Sequence, residues 1–85
     1  MEKIFEQAML YDFYGELLKD NQKEVFENYV LDNLSLSEIA EERNISRQAV
    51  YDMIKRADRA LNEYEDKLHL LEKFLTIKED VNRIH

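Results

Sequence analysis

The 85-residue chain has no cysteine, no proline and a single glycine. The lack of cysteine removes disulfides, thiolate metal sites and thiol nucleophiles together. With so little turn chemistry, a β-sandwich or barrel built on many tight turns is disfavoured. No apolar run approaches the ~20 residues of a membrane span. The first residues, Met1-Glu2-Lys3-Ile4-Phe5-Glu6, lack the basic-then-apolar pattern of a signal peptide. There is no phosphate-binding glycine loop. His69 and His85 are too far apart in the sequence to suggest a ligand set, and His69 reads as an exposed helix residue. Glu41-Glu42 and Glu63-Glu65-Asp66 read as solvated acidic faces, not acid/base pairs. No enzyme activity, metal or cofactor is expected, and the setting expected is the cytoplasm.

What is present is 45% apolar and 36% charged residues, the balance of an amphipathic helical domain. The length allows one domain over residues 1–85, burying roughly 60–65% of its unfolded surface. The net charge of −7 is unevenly spread. Arg43, Arg47, Lys55, Arg56 and Arg59 face only Asp52 and Asp58 within 43–59, a local charge of +3 against −10 elsewhere. Such an island can meet a phosphate backbone, because screening confines Coulombic contact to ~8–10 Å. The acidic surround opposes strong nonspecific binding.

Apolar residues cover most of a helical wheel between about Glu2 and Leu18, which predicts a helix covered on more than one side. Gly15, costly by about 1 kcal/mol in a helix interior, marks close approach of a neighbouring helix in this reading. A second helix is predicted from Asp20 or Asn21 to about Leu31, with Asp20 as its cap. Ser35-Leu36-Ser37-Glu38 is a capping box opening a short helix that ends near Arg43-Asn44. Asn44 tolerates the left-handed turn, Ile45 plugs it, and Ser46 caps the next helix. That helix is predicted to run unbroken from Arg47 to Phe74 or Leu75, with a frayed tail over 76–85.

The run from Leu36 to Tyr51 has helix-turn-helix spacing: small Ala40 where two helices cross, Asn44 at the turn, and Val50 as the core anchor of the second helix. The second helix would enter a DNA major groove by its N-terminal half. Ser46, Arg47, Gln48, Tyr51, Asp52, Lys55 and Arg56 (about 35–56 being the motif) are the candidate DNA-binding residues. Arg47 suits guanine and Gln48 adenine, while Ser46, Tyr51 and Lys55 suit phosphates. Arg43 would lay its stem over the core with its head toward solvent or phosphate. The alternative is a three-helix scaffold whose basic face is merely solvated.

Asp12-Phe13-Tyr14-Gly15, Leu36-Ser37-Glu38-Ile39-Ala40 and Ser46-Arg47-Gln48-Ala49-Val50-Tyr51-Asp52 together resemble the YlxM family. The resemblance spans about Ile4 to Phe74. These are small bacterial proteins whose helix-turn-helix is similar to the fourth region of sigma factors. The resemblance implies an all-α, sigma-region-four-like fold without a wing, and groove-facing roles for Ser46, Arg47, Gln48, Tyr51 and Lys55. It also implies a link to the signal recognition particle, whose genes lie beside this family's. Two functions follow as expectations: a DNA-binding regulator of that pathway, or an accessory protein that binds its protein or RNA instead. This chain departs from the family at Lys19, where a Ser or Thr cap is usual, and at Arg43-Asn44, where an apolar-Gly pair is usual. Relatives run past His85, so a longer tail is expected in them.

Only Tyr51 among five tyrosines falls on the basic face, so a single-stranded RNA stacking platform is not evident. Ile54, Ala57, Leu61, Tyr64, Leu68, Leu71 and Leu75 repeat at heptad spacing over about 57–75. On this reading Leu61, Tyr64, Leu68, Leu71 and Leu75 form a homodimer seam that would supply two basic helices to paired half-sites. The alternative is that this face packs back on the first helix of the same chain.

Overall fold

The computed structural model describes residues 3–83, with side chains described for 4–77. It contains five α-helices: α1 (Lys3–Tyr14), α2 (Asp20–Val30), α3 (Leu36–Arg43), α4 (Arg47–Leu68) and α5 (Leu70–Arg83). A 3-10 turn over Gly15–Leu17 follows α1, and there is no strand among the described residues. The all-α class read from the sequence is the observed one.

α4 is the spine. Val50, Ile54, Ala57 and Leu61 recur at spacings of three and four and are buried along one face. Against that face pack Leu10 and Tyr14 of α1, Val25 and Phe26 of α2 and Ile39 of α3. Ala40, small and buried, lets α3 lie close beneath α4. Burying each large apolar side chain in this set is worth ~1.5–3 kcal/mol, the main stabilising contribution in so small a domain.

The predicted helix ends at Ser35, Asn44 and Ser46 are all visible. Ser35 and Glu38 close a reciprocal capping box, with Glu38 N–H donating to Ser35 Oγ at 3.1 Å and Ser35 N–H to Glu38 Oε1 at 3.0 Å. Asn44 takes the left-handed conformation (φ 57°, ψ 44°), and Ile45 N–H reaches back to the Ala40 carbonyl at 3.0 Å. This is the Schellman pattern that ends a helix within one residue. Ser46 Oγ then accepts from Ala49 N–H at 3.0 Å and opens α4.

Four expectations are corrected. α2 begins at Asp20, but Asp20 is its first helical residue; Lys19 holds the cap position and makes no side-chain capping bond. Gly15 is crowded from within its own segment: a Cβ there would meet the Tyr11 ring at 2.7–2.9 Å. Ile45 lies over the turn, 38% exposed, instead of filling it.

The fourth correction is the largest. The predicted 28-residue helix breaks at His69, which adopts the left-handed conformation (φ 55°, ψ 31°) between α4 and α5. His69 is thus a hinge residue, and α5 folds back so that Leu71 is buried and Leu75 packs against the core. The chain remains elongated at 52 × 23 × 16 Å, with a radius of gyration of 14.9 Å against about 12 Å for a compact chain of this length. Helix continues through Arg83 over most of the segment expected to fray, while His85 lies outside the described residues.

Candidate nucleic-acid interface

The first two turns of α4 stand clear of the rest of the molecule because Val50 and Ile54 pull the opposite face into the core. At about 100° per residue, Arg47, Tyr51, Lys55, Gln48 and Asp52 share roughly 140° of the outward face. Arg56 sits at its edge. Ser46, Arg47, Gln48, Tyr51, Asp52, Lys55 and Arg56 are all exposed, so the seven residues selected from sequence come together on one surface. Arg59 falls within the same arc and is also exposed; its place in the basic island is the sequence signal for it.

The side chains are differently engaged. Ser46 Oγ is held by the Ala49 N–H, which leaves the hydroxyl proton as its outward donor. Gln48 Nε2 donates to Asp52 Oδ1 at 3.0 Å, one helical turn along. Lys55 Nζ lies 5.5 Å from the Tyr51 ring centroid, a cation–π approach that aligns the two side chains. Among the described residues the ion pairs join Lys23 to Glu16, Arg43 to Glu24 and His69 to Glu72, and none involves Arg47, Lys55, Arg56 or Arg59. Their positive charge is therefore available to a partner.

Two clefts flank this face. One of about 170 Å³ is lined by Gln7, Tyr29, Leu36, Tyr51, Ile54, Lys55 and Asp58. Within it the nearly buried Gln7 donates from Nε2 to Asp58 Oδ1 at 3.1 Å, tying α1 to α4. Gln7 and Tyr29 carry no motif in the sequence and are found only through the fold. The second cleft is shallower and lies between Leu36 and the row Arg47, Gln48 and Tyr51.

Arg43 does not point to this face. Its Nη1 pairs with Glu24 Oε2 at 3.3 Å. The Asn28 amide, oriented to satisfy its neighbours, accepts from Arg43 Nη2 and donates to Asp32, each at 3.1 Å. The guanidinium clamps α3 to α2, which corrects the expectation of a head in solvent or on phosphate.

The five seam residues are dispersed. Leu61 and Leu71 are buried inside the single chain, and Tyr64, 6.0 Å from the Tyr14 ring, and Leu75 pack against the same core. Leu68 is 46% exposed at the end of α4. Leu61 and Leu71 are thus covered within the single chain, where this face packs against α1. Phe13 of α1 meets Phe74 of α5 edge to face at 5.8 Å, and Leu70 and Ile77 of α5 are exposed.

No group of three or more His, Cys, Asp or Glu residues among those described could hold a metal ion. No helix among them is long and apolar enough to cross a membrane.

The family model described as "Putative helix-turn-helix protein, YlxM / p13 like" matches residues 1–85. The chain belongs to this family. The UPF0122 protein YlxM of Bacillus subtilis (strain 168) is 50% identical over 84 residues, which is 99% of this chain and 76% of that relative. A UPF0122 protein of Bacillus thuringiensis (strain Al Hakam) is 55% identical over 74 residues, 87% of this chain and 67% of the relative. One from Acetivibrio thermocellus is 51% identical over 78 residues, 92% and 67% respectively. The YlxM-like resemblance read from the motif residues is thereby shown for the whole chain.

Proposed function

We propose that this chain binds double-stranded DNA by setting the N-terminal half of α4 into the major groove. The observation that carries the reading is the outward face of α4, where Arg47, Gln48 and Tyr51 project side by side and Arg47, Lys55 and Arg56 are not consumed by ion pairs. Arg47 and Gln48 sit in the first turn, where a docked recognition helix meets base edges. Lys55, Arg56 and Arg59 lie further along, where such a helix passes phosphates. Charge of −10 outside the island directs the docking to this face and limits nonspecific adhesion.

The proposal extends to a homodimer joined through Phe13, Leu70 and Ile77 rather than through the heptad seam. Two copies give two recognition helices, which paired half-sites require. It extends also to a regulatory role in the cytoplasm, acting on expression of the signal recognition particle pathway. The family resemblance supports that link.

A second reading has its own support. The acidic remainder and the apolar surface of α1 and α5 suit a basic protein partner, which would make the helix-turn-helix a scaffold for docking on signal recognition particle components. Titrating the chain against duplex DNA, and in parallel against the particle's RNA and protein, separates the two. DNA binding that weakens with salt, with a slope about one unit shallower in Lys55→Ala, supports groove docking. Binding to the particle alone contradicts it.

A further inference from the structure

On the exposed face of α4, the Gln48 amide is biased to one orientation by a hydrogen bond to its neighbour. Its Nε2 donates to Asp52 Oδ1 at 3.0 Å. The reverse orientation would set the amide oxygen against a carboxylate oxygen, two acceptors with no proton between them. An acidic residue on a surface otherwise suited to phosphate is an electrostatic cost, and this hydrogen bond is what Asp52 does there.

The consequence is a fixed pattern toward solvent. Nε2 carries two protons, and Asp52 accepts one. The second N–H and the carbonyl oxygen are left side by side, one donor and one acceptor. In the major groove adenine presents N7 as acceptor beside the N6 amine as donor, which matches that pair. Guanine presents two acceptors, N7 and O6, so the fixed carbonyl oxygen of Gln48 would face O6 without a proton. A Gln48 free to flip or swing could offer its N–H groups to either purine.

We propose that Asp52 is a positioning residue for base recognition: by holding the Gln48 amide in one orientation, it makes this helix prefer adenine over guanine at one base position. Asp52 itself need not touch the DNA. The inference rests on the groove-docking reading and adds to it the residue that sets the purine choice.

The test is selection from a duplex DNA pool with a randomised centre, followed by sequencing, for the wild-type chain, Gln48→Ala, Asp52→Ala and Asp52→Asn. Both positions are exposed, so the variants keep the fold, checked by circular dichroism. The wild type is expected to enrich a motif with an adenine column that Gln48→Ala erases. Asp52→Ala is expected to lower the adenine-to-guanine ratio in that same column by about tenfold, the scale of one bidentate base contact. Asp52→Asn should do likewise, since its amide can face Gln48 in either sense. A residue acting only through its charge would instead raise affinity for every sequence and leave the column unchanged. That outcome overturns the inference while groove docking stands, as does a motif in which Gln48→Ala erases no adenine. A wild-type chain that fails to bind the pool overturns groove docking itself, and the inference with it.

Discussion

The hydroxyl of Tyr14 donates to Glu65 Oε1 at 2.6 Å across 51 residues of sequence, and it accepts from Leu70 N–H at 3.0 Å. Glu65 completes the junction by accepting from Leu71 and Glu72 N–H, each at 3.0 Å. The first amides of α5, which its own turns leave without partners, are thus satisfied by a carboxylate from the preceding helix and a phenol from α1. His69 bridges the same corner, its Nδ1 lying 2.9 Å from Glu72. This cluster turns α5 back over Tyr14.

The pH dependence of the corner follows from Glu65. Burial pushes its pKa up, but the bonds from Tyr14, Leu71 and Glu72 outweigh burial and hold it below the ordinary glutamate value. Stability from a depressed carboxylate is present above that ordinary value, near 4.3, and is lost as pH falls through the lower folded value. Glu65→Gln should cost about 1–2 kcal/mol at neutral pH, because the amide nitrogen cannot accept from the α5 amides. Thermal unfolding followed from neutral to acid pH should show the difference from wild type closing. A gap that stays constant would place the cost elsewhere.

Gly15 answers to Tyr11. The Tyr11 ring stacks on Phe26 at 5.7 Å and its hydroxyl bonds to Glu27, so the ring cannot step aside for a new methyl group. Gly15→Ala would lower the backbone entropy of the unfolded state, which favours folding, yet the clash should dominate. A net loss of about 1–2 kcal/mol is expected in urea unfolding. A stabilised variant would show that the ring is less constrained than its partners imply.

Arg43 clamps α2 to α3, and its Nε is buried without a partner. An ion pair of this exposure contributes little, and an apolar side chain can replace a partly buried one at small cost. Arg43→Leu should therefore stay within about 1 kcal/mol of wild type in unfolding experiments and keep its DNA affinity. A large loss of DNA binding with the fold intact would return Arg43 to the interface.

Self-association is expected to depend on the α1–α5 surface. Ile77 is 62% exposed, so Ile77→Glu should leave the fold intact and shift sedimentation toward monomer. Gln48→Glu, exposed on the opposite part of the chain in α4, should leave it unchanged. Sedimentation of the wild type as a monomer at all concentrations would contradict the dimer.

Much of this molecule is legible in its sequence where one residue type has one physical role. Ser35 with Glu38, Asn44 and Ser46 each announce a helix end through a bond that few other residues make. The exposed face of α4 follows from period alone once Val50 and Ile54 are assigned inward. The break at His69 does not follow, because heptad spacing continues through it and no glycine or proline marks it. Its cause is the bond set between Tyr14, Glu65 and the α5 amides, which is tertiary. Leu61 and Leu71 have the same apolar pattern whether they meet α1 or a second copy, so periodicity could not choose between them. The tie between Gln7 and Asp58 and the clamp at Arg43 also require the fold.

The central claim is that α4 docks in duplex DNA, and fluorescence anisotropy of the wild-type chain and Arg47→Ala on labelled duplex tests it most directly. Binding at low salt that weakens steeply as salt rises, and that falls about tenfold or more in Arg47→Ala while circular dichroism stays unchanged, is the predicted result. Equal affinity of the two proteins, or no binding by the wild type at low salt, would contradict it.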